Sequence, residues 1–417
     1  MKANGNRTPA LAFIFVTLLI DIMGFGIIIP VQPHLVRTLT GLGESQSAPI
    51  LGWLQTSFGL MAFLFAPLLG NLSDRYGRRP VLLLSLAITA LEYVILALAP
   101  NITWLFVGRI LTGMSSASFT AASAYIADVS PPEKRAQNFG MIGAAFGVGF
   151  ILGPALGGVL GNVGLRVPFW VAATLTAVNF AYGWFVLPES LSAENRRPLD
   201  LRRANPLGTF ATFGRFSWVL ILAFALGFLN LAQQMLHNTW VISNEYRFHW
   251  TELQNGLTFA LLGVASIVVQ MGILRIMLPR LGEAKTLIFG LVFQFVGFVG
   301  FGFAGRPDVL IGMMLLWTLS FVGGPAVQGL ISKRYGPDEQ GAVQGGLSGI
   351  QSLTGVFAPL IATNTFRYFT SEKAPMILPG APYLLGAALS IVAIGLAVWA
   401  LLRRRSDGVA LVSPDAA

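Results

Sequence analysis

Apolar runs of about 20 residues recur from one end of this 417-residue chain to the other, and they settle its solvent before any motif is read. At about 1.5 Å of rise per residue, each run crosses a hydrocarbon core of about 30 Å as one helix. Only 11% of residues are charged, against about 25% in soluble domains, so the chain cannot clothe a water-facing surface. The expected fold is therefore an all-α membrane protein with the lipid bilayer as its main partner.

Hydropathy, punctuated by Pro, Gly and charged clusters, predicts twelve spans. Six cover 10–35, 50–72, 80–99, 104–127, 139–161 and 167–187, and six cover 218–240, 253–277, 285–304, 308–331, 340–363 and 381–402. The longest polar stretch, 188–217, separates them. The expected domains are thus a six-helix bundle at 1–187, a linker at 188–217, a second bundle at 218–402 and a tail at 403–417. Lys2 and Arg7 precede a first apolar run that is too long for a signal peptide and lacks a small-residue cleavage site, so that run reads as a retained helix.

A net charge of +9 would suggest nucleic acid in a soluble protein, but the placement of the cations points to membrane insertion instead. Of 27 Lys and Arg residues, only Arg37, Arg166, Arg247, Arg306, Arg367 and Lys373 fall on one side of the predicted spans, and Arg109 falls within a span. The remainder flank the other side, called the basic side below. The positive-inside rule makes it cytoplasmic, with both termini on it. Cysteine is absent and the three histidines are scattered, which excludes disulfides, thiolate chemistry and a metal site; no cofactor is expected.

The halves read as a diverged repeat. Arg75 and Gly77 recur as Arg280 and Gly282, Pro132 as Pro337, Gly140 as Gly345 and Pro154 as Pro359, all at one offset. A six-plus-six arrangement around a central substrate cavity follows.

The loop after the second span reads Gly70-Asn71-Leu72-Ser73-Asp74-Arg75-Tyr76-Gly77-Arg78-Arg79-Pro80, and it resembles the loop signature of the major facilitator superfamily. The fifth span, with Gly143, Gly147, Gly149, Gly153, Pro154, Gly157 and Gly158, is similar to the glycine-proline motif of that superfamily's drug/proton antiporters. The stretch from Leu105 to Gly113, centred on Arg109, resembles a further family motif. Likeness to tetracycline efflux proteins extends over nearly the whole chain, through Ala124 to Asp128, Trp240 to Ile242, Arg247-Phe248 and Gly324 to Gln328. The resemblance implies a two-bundle, monomeric, proton-coupled exporter of tetracycline-like or other amphipathic drugs, with a divalent metal only as a companion of such a substrate. It also locates departures: Glu92 stands for an aspartate in the third span, Gln294 for a ninth-span carboxylate and Ser266 for a histidine. Broader specificity than strict tetracycline transport is the expectation.

Asp21, Glu92 and Arg109 are the ionisable groups well inside the spans, and each charge at helix centre costs about 2.5–3.5 kcal/mol or more on insertion scales. Asp21 lies about 16 Å into its helix, near the midplane, where desolvation favours a protonated carboxyl that can load and release a proton. Glu92 and Arg109 flank the turn at Pro100 and Asn101 almost symmetrically, so they can face each other. Proton coupling and a purely structural ion pair both fit that pair. Asp74, Arg78 and Asp128 sit at span ends on the basic side, where bidentate bonds can form in one conformation and hydrate in another, a latch that Gly70, Arg75, Gly77 and Arg79 complete. Fixing topology is the simpler role for those arginines. The glycines and Pro154 of the fifth span predict close helix contact and a local bend, which ordinary membrane packing also explains.

In the seventh span Asn230, Gln233, Gln234 and His237 recur at helical spacing as one polar stripe, a candidate drug surface that interhelical hydrogen bonding explains almost as well. Gln270, Gln294 and Gln328 are weaker candidates of the same kind. The competing readings are a nutrient uniporter or symporter of the same superfamily and a membrane-embedded enzyme. Against the enzyme stand the missing His-Glu-x-x-His motif and the lack of paired intramembrane aspartates, and no phosphate loop points to ATP coupling.

Overall fold

A computed structural model describes residues 7–115, 118–131, 134–196, 216–336 and 339–406. Pro132 and Pro337, most of the 188–217 linker and most of the 403–417 tail lie outside those residues. The described chain is helical throughout, with no strand among the described residues, as backbone in hydrocarbon requires when each N–H must be paired within its own segment.

In the first half the helices are α1 (Arg7–Ile28), α2 (Gln32–Thr40), α3 (Glu44–Tyr76), α4 (Arg78–Leu98), α5 (Ile102–Ser115), α6 (Ser118–Val129), α7 (Arg135–Val163) and α8 (Val167–Val186). In the second half they are α9 (Ser217–Phe248), α10 (Glu252–Ile267), α11 (Leu274–Phe303), α12 (Pro307–Trp317), α13 (Gly323–Ser332), α14 (Gln340–Phe369) and α15 (Ala381–Ser406). Among the described residues, ten apolar stretches are long enough to cross a membrane. Glu252–Phe303 holds two that meet at Gly282, and the expected fourth span, which holds α5 and α6, is additional to the ten, so the twelve expected spans are accounted for. Large apolar side chains face outward along them, Phe185 at 84% exposure among others, as lipid contact requires and water would not permit.

The helices break where the continuous apolar pattern predicted none. The first span expected over 10–35 ends at Ile28, turns through residues 29–31, and resumes as α2 with Pro33 near its start. Pro30 lacks the N–H that would continue the ladder. The eighth span carries a π-helical turn at Val268–Ile273, and the tenth a 3-10 stretch at Thr318–Val322. Both are mid-span departures of the kind found at hinges.

The described residues within Met1–Gly43, Ser57–Asn205 and Trp250–Gly263 form one compact unit, and those within Glu44–Thr56, Pro206–His249 and Val264–Ala417 form another. Each unit therefore includes a short segment from the opposite half of the sequence. In the first unit Phe13, Leu18, Leu82, Ala122 and Tyr125 are core residues, and in the second Leu222, Leu226, Leu291, Val327 and Leu330 are.

Candidate functional site: buried charges and a loop latch in the first half

α4 and α5 form an antiparallel pair across the turn at Asn101, so residues equally far from the turn stand level. Glu92 and Arg109 meet in this way, with Oε1 to Nη2 at 3.3 Å, and both side chains are almost fully buried. That contact leaves much of the pair's bonding capacity unused. Both Glu92 carboxylate oxygens and the Nε and Nη2 of Arg109 lack a hydrogen bond of good geometry among the described residues, the Thr112 side chain being a further hydrogen-bonding neighbour of Glu92. Buried polar groups are nearly always satisfied, so such a cluster asks for a proton, water or substrate to complete it. Half-buried Asp21 on α1 faces the same region through Tyr93, which lies within electrostatic reach of Asp21, Glu92 and Arg109. A methyl group at Gly24, one turn from Asp21, would come within 2.5 Å of the Tyr93 hydroxyl, so that hydroxyl rests directly on α1.

The loop between α3 and α4 is organised around Arg78. Its Nη1 lies 2.6 Å from Asp74 and donates to Ser73 Oγ at 2.7 Å, and its Nε donates to Asp128 at 3.2 Å. Asp128 also accepts from the Ser190 hydroxyl at 3.1 Å. Glu189 adds a second layer, accepting the backbone N–H of Arg78 at 2.8 Å and of Arg79 at 3.3 Å. A carboxylate on the first N–H groups of a helix satisfies orphan donors and opposes the helix dipole, worth about 0.5–2 kcal/mol. Gly77 makes this possible twice over. Its φ of +108° disfavours any side chain, and a Cβ there would collide with the Glu189 carboxylate. Arg79 donates to the Trp184 carbonyl at 2.6 Å, while Arg75 is exposed with its guanidinium 5.2 Å from the Tyr76 ring centre. Ser73 donates to the carbonyl of Gly70 at 2.9 Å, which gives Gly70 a backbone role within α3.

The fifth span, α7, is one continuous helix with Pro154 inside it. It approaches α1 backbone to backbone: a Cβ at Gly153 would lie 2.7 Å from the Met23 carbonyl, and one at Gly157 would strike Ile27. On another face, a Cβ at Gly158 would lie 2.6 Å from the Glu252 carbonyl of α10. Gly143 has open space around it, and Gly147 is half-buried. Close by, His34 on α2 contacts Glu252 with Nδ1 to Oε1 at 2.5 Å, on the side opposite the latch.

In the second half the polar residues fall into two groups. Gln294 is fully buried, and its amide donates to the Leu229 carbonyl at 3.3 Å and to Ser390 Oγ at 3.2 Å, tying α9, α11 and α15 together. Gln233 reaches it at 3.5 Å. Asn230, Gln233 and Gln234 are half-buried and His237 is exposed, with its ring nitrogen 3.0 Å from the Gln233 carbonyl. The Nδ2 of Asn230 has no partner among the described residues. Gln270 is exposed within the π-helical turn, and Gln328 is half-buried on α13.

The family model described as Major Facilitator Superfamily matches residues 14–359, spanning most of these helices. The chain belongs to the Major Facilitator Superfamily. It is 36% identical over 394 residues to the tetracycline resistance protein, class C, of Escherichia coli, covering 94% of this chain and 96% of the relative. Against the class G protein of Vibrio anguillarum it is 36% identical over 341 residues, covering 82% and 86%. Among solved structures, the human organic anion transporter MFSD10 (TETRAN) superposes with a TM-score of 0.70 at 24% identity, covering 94% of this chain and all of that one. The D-xylose-proton symporter gives 0.74 at 16%, covering 94% and 96%. The solved structures carry the major facilitator fold, and the family together with the tetracycline resistance relatives marks the protein as an integral membrane transporter rather than an enzyme.

Three residues of this major facilitator protein escaped the reading of its sequence. Tyr93 looks like one more aromatic in an apolar helix, and only packing against Gly24 distinguishes it. Glu189 sits at the head of a polar linker, where an acid is unremarkable until the fold brings it to Gly77. Glu283 pairs with Lys333, two positions that are the repeat places of Arg78 and Asp128 with the charges exchanged, and the repeat offset alone could have located them.

Proposed function

We propose that this transporter is a proton-coupled drug exporter, moving tetracycline-like or other amphipathic drugs outward in exchange for protons by alternating access. The observation that carries the reading is the Glu92–Arg109 pair, buried with unused bonding capacity beside Asp21 and Tyr93. Three intramembrane charges on one side of a bundle are costly, and a protonatable carboxylate among them repays the cost as a coupling site. The relatives named as tetracycline resistance proteins support drug as the cargo.

In this reading Asp21 and Glu92 load the proton, with Arg109 as the counter-charge of Glu92. Arg78, with Asp74, Asp128 and Glu189, stabilises one conformation of the basic side, while the glycines of α7 let helices slide at close range. The half-buried amides of α9 offer hydrogen bonds to a drug rich in oxygens, and a divalent metal enters only with such a drug. No cofactor of its own and no nucleic acid is needed, and a monomer suffices. The bacterial inner membrane is the proposed location, with the basic side in the cytoplasm.

Everted membrane vesicles test this. Acidifying the lumen should drive tetracycline into it, and a protonophore should abolish the uptake. Accumulation indifferent to the proton gradient would remove coupling, and drug movement along with the proton would make the protein a symporter.

A further inference from the structure

One cavity lies apart from everything the transport cycle uses. Between the start of the ninth span and the end of α15 is a cleft of about 330 Å³ lined by Lys285, Ile288, Val398, Leu401, Leu402 and Arg404 with Ala284. Its walls are aliphatic and its two charges are both cations; no carboxylate lines it. Glu283, two residues from Lys285, is taken by Lys333.

Arg404 is held in place before any ligand arrives. Its guanidinium carbon lies 5.4 Å from the centre of the Trp218 ring, within cation-π range, and its buried Nε has no hydrogen-bond partner among the described residues. Lys285 is exposed. Along α15, Val398, Leu401 and Leu402 recur at helical spacing, so they line one strip that ends at Arg404. The apolar run of α15 gives way after Leu402 to Arg403, Arg404 and Arg405. The cations therefore stand at headgroup depth while the aliphatic strip continues into the acyl region, and Leu402 and Val398 are open on that strip at 59% and 40% exposure.

We propose that this cleft binds one anionic phospholipid from the leaflet on the basic side. Its phosphate would sit between Lys285 and Arg404, and an acyl chain would lie along Ile288, Val398 and Leu401. Basic pockets between spanning helices on that side suit acidic headgroups. A cationic drug would be repelled by the same two charges, so the cleft is not a drug entrance.

The test is native mass spectrometry of the purified full-length protein, challenged with equal amounts of phosphatidylglycerol and phosphatidylcholine of identical acyl chains. Retention of phosphatidylglycerol over phosphatidylcholine is expected. Lys285→Gln and Arg404→Gln should each lower it about fivefold, the worth of one cation at an anionic surface. Arg404→Lys should keep most of it, and Ile288→Trp should reduce it by filling the wall while leaving both charges. Lys285 is exposed, so Lys285→Gln tests the site without risk to the fold. Equal retention of the two lipids, or unchanged retention in Lys285→Gln, would overturn the proposal. Displacement of the lipid by glycerol 3-phosphate at matched concentration would also overturn it, by showing that a soluble phosphate satisfies the site.

Discussion

Asp21, Glu92 and Arg109 of the first half correspond, 205 residues later, to Leu226, Gly297 and Met314. Leu226 and Met314 are buried, and Gly297 lies against Trp317. Other repeat pairs agree closely. Gly77 and Gly282 both adopt positive φ, +108° and +71°, and Pro154 and Pro359 both lie inside helices. The segments 44–56 and 250–263, which pack in the unit of the opposite half, also occupy matching places. Backbone turns and close packing are required twice because the fold is built twice. Intramembrane charge is expensive, so only one half retains it.

The loops sharpen the contrast. Arg78 is 11% exposed and bonds Asp74, Ser73 and Asp128, whereas the exchanged pair Lys333 and Glu283 joins a lysine that is 72% exposed to one carboxylate. Among the described residues the first arrangement is a network, and the second is one surface ion pair of the sort worth about 0–1 kcal/mol.

The largest effect should come from removing the titratable group. Asp21→Asn is expected to reduce drug/proton exchange in proteoliposomes to the level of protein-free vesicles, with insertion unchanged. Undiminished exchange would erase the functional half of the comparison. Next is the buried pair. Arg109→Met strands Glu92 and should cost about 3–5 kcal/mol, read as thermal unfolding in detergent. Adding Glu92→Leu should restore stability but not coupling. If the double variant still exchanges protons, the pair is structural only.

A smaller difference separates the two latches. Arg78→Ala loses charge-assisted bonds worth about 1.5–3 kcal/mol each and should slow turnover by tenfold or more at nearly constant drug affinity. Lys333→Ala should slow it less than about fivefold, and Glu283→Lys combined with Lys333→Glu should recover that loss. Equal losses at both loops would make the latches equivalent. The smallest transport effect is expected at Gln294, whose amide is spent inside the bundle. Gln294→Leu should cost about 1–3 kcal/mol of stability and leave the ratio of cationic to neutral drug transport unchanged. A changed ratio would put Gln294 in the drug path.

Much of this was legible from residue order. The twelve spans follow from apolar run lengths, and the family was readable in the loop from Gly70 to Pro80 because that motif is local. The exchanged pair at Glu283 and Lys333 was present in the repeat offset, though charge reversal hid it from a search for identical residues. Gln294 shows the opposite case. Its polarity inside a span marked it as a candidate for drug contact, and nothing in the sequence could say that Ser390 and the Leu229 carbonyl would take up its amide.

By itself the sequence determined the solvent, the number of crossings, the side that carries the cations and the kinship of the two halves. Each of these depends on composition or spacing along the chain, which survive without a third dimension. The tertiary structure alone decided that Tyr93 rests on Gly24 beside Asp21, that Glu189 caps α4 through the space Gly77 leaves, and that Lys285 and Arg404 border one cleft. These contacts join residues up to more than a hundred positions apart, and their strength depends on distances of a few ångströms that no local pattern encodes.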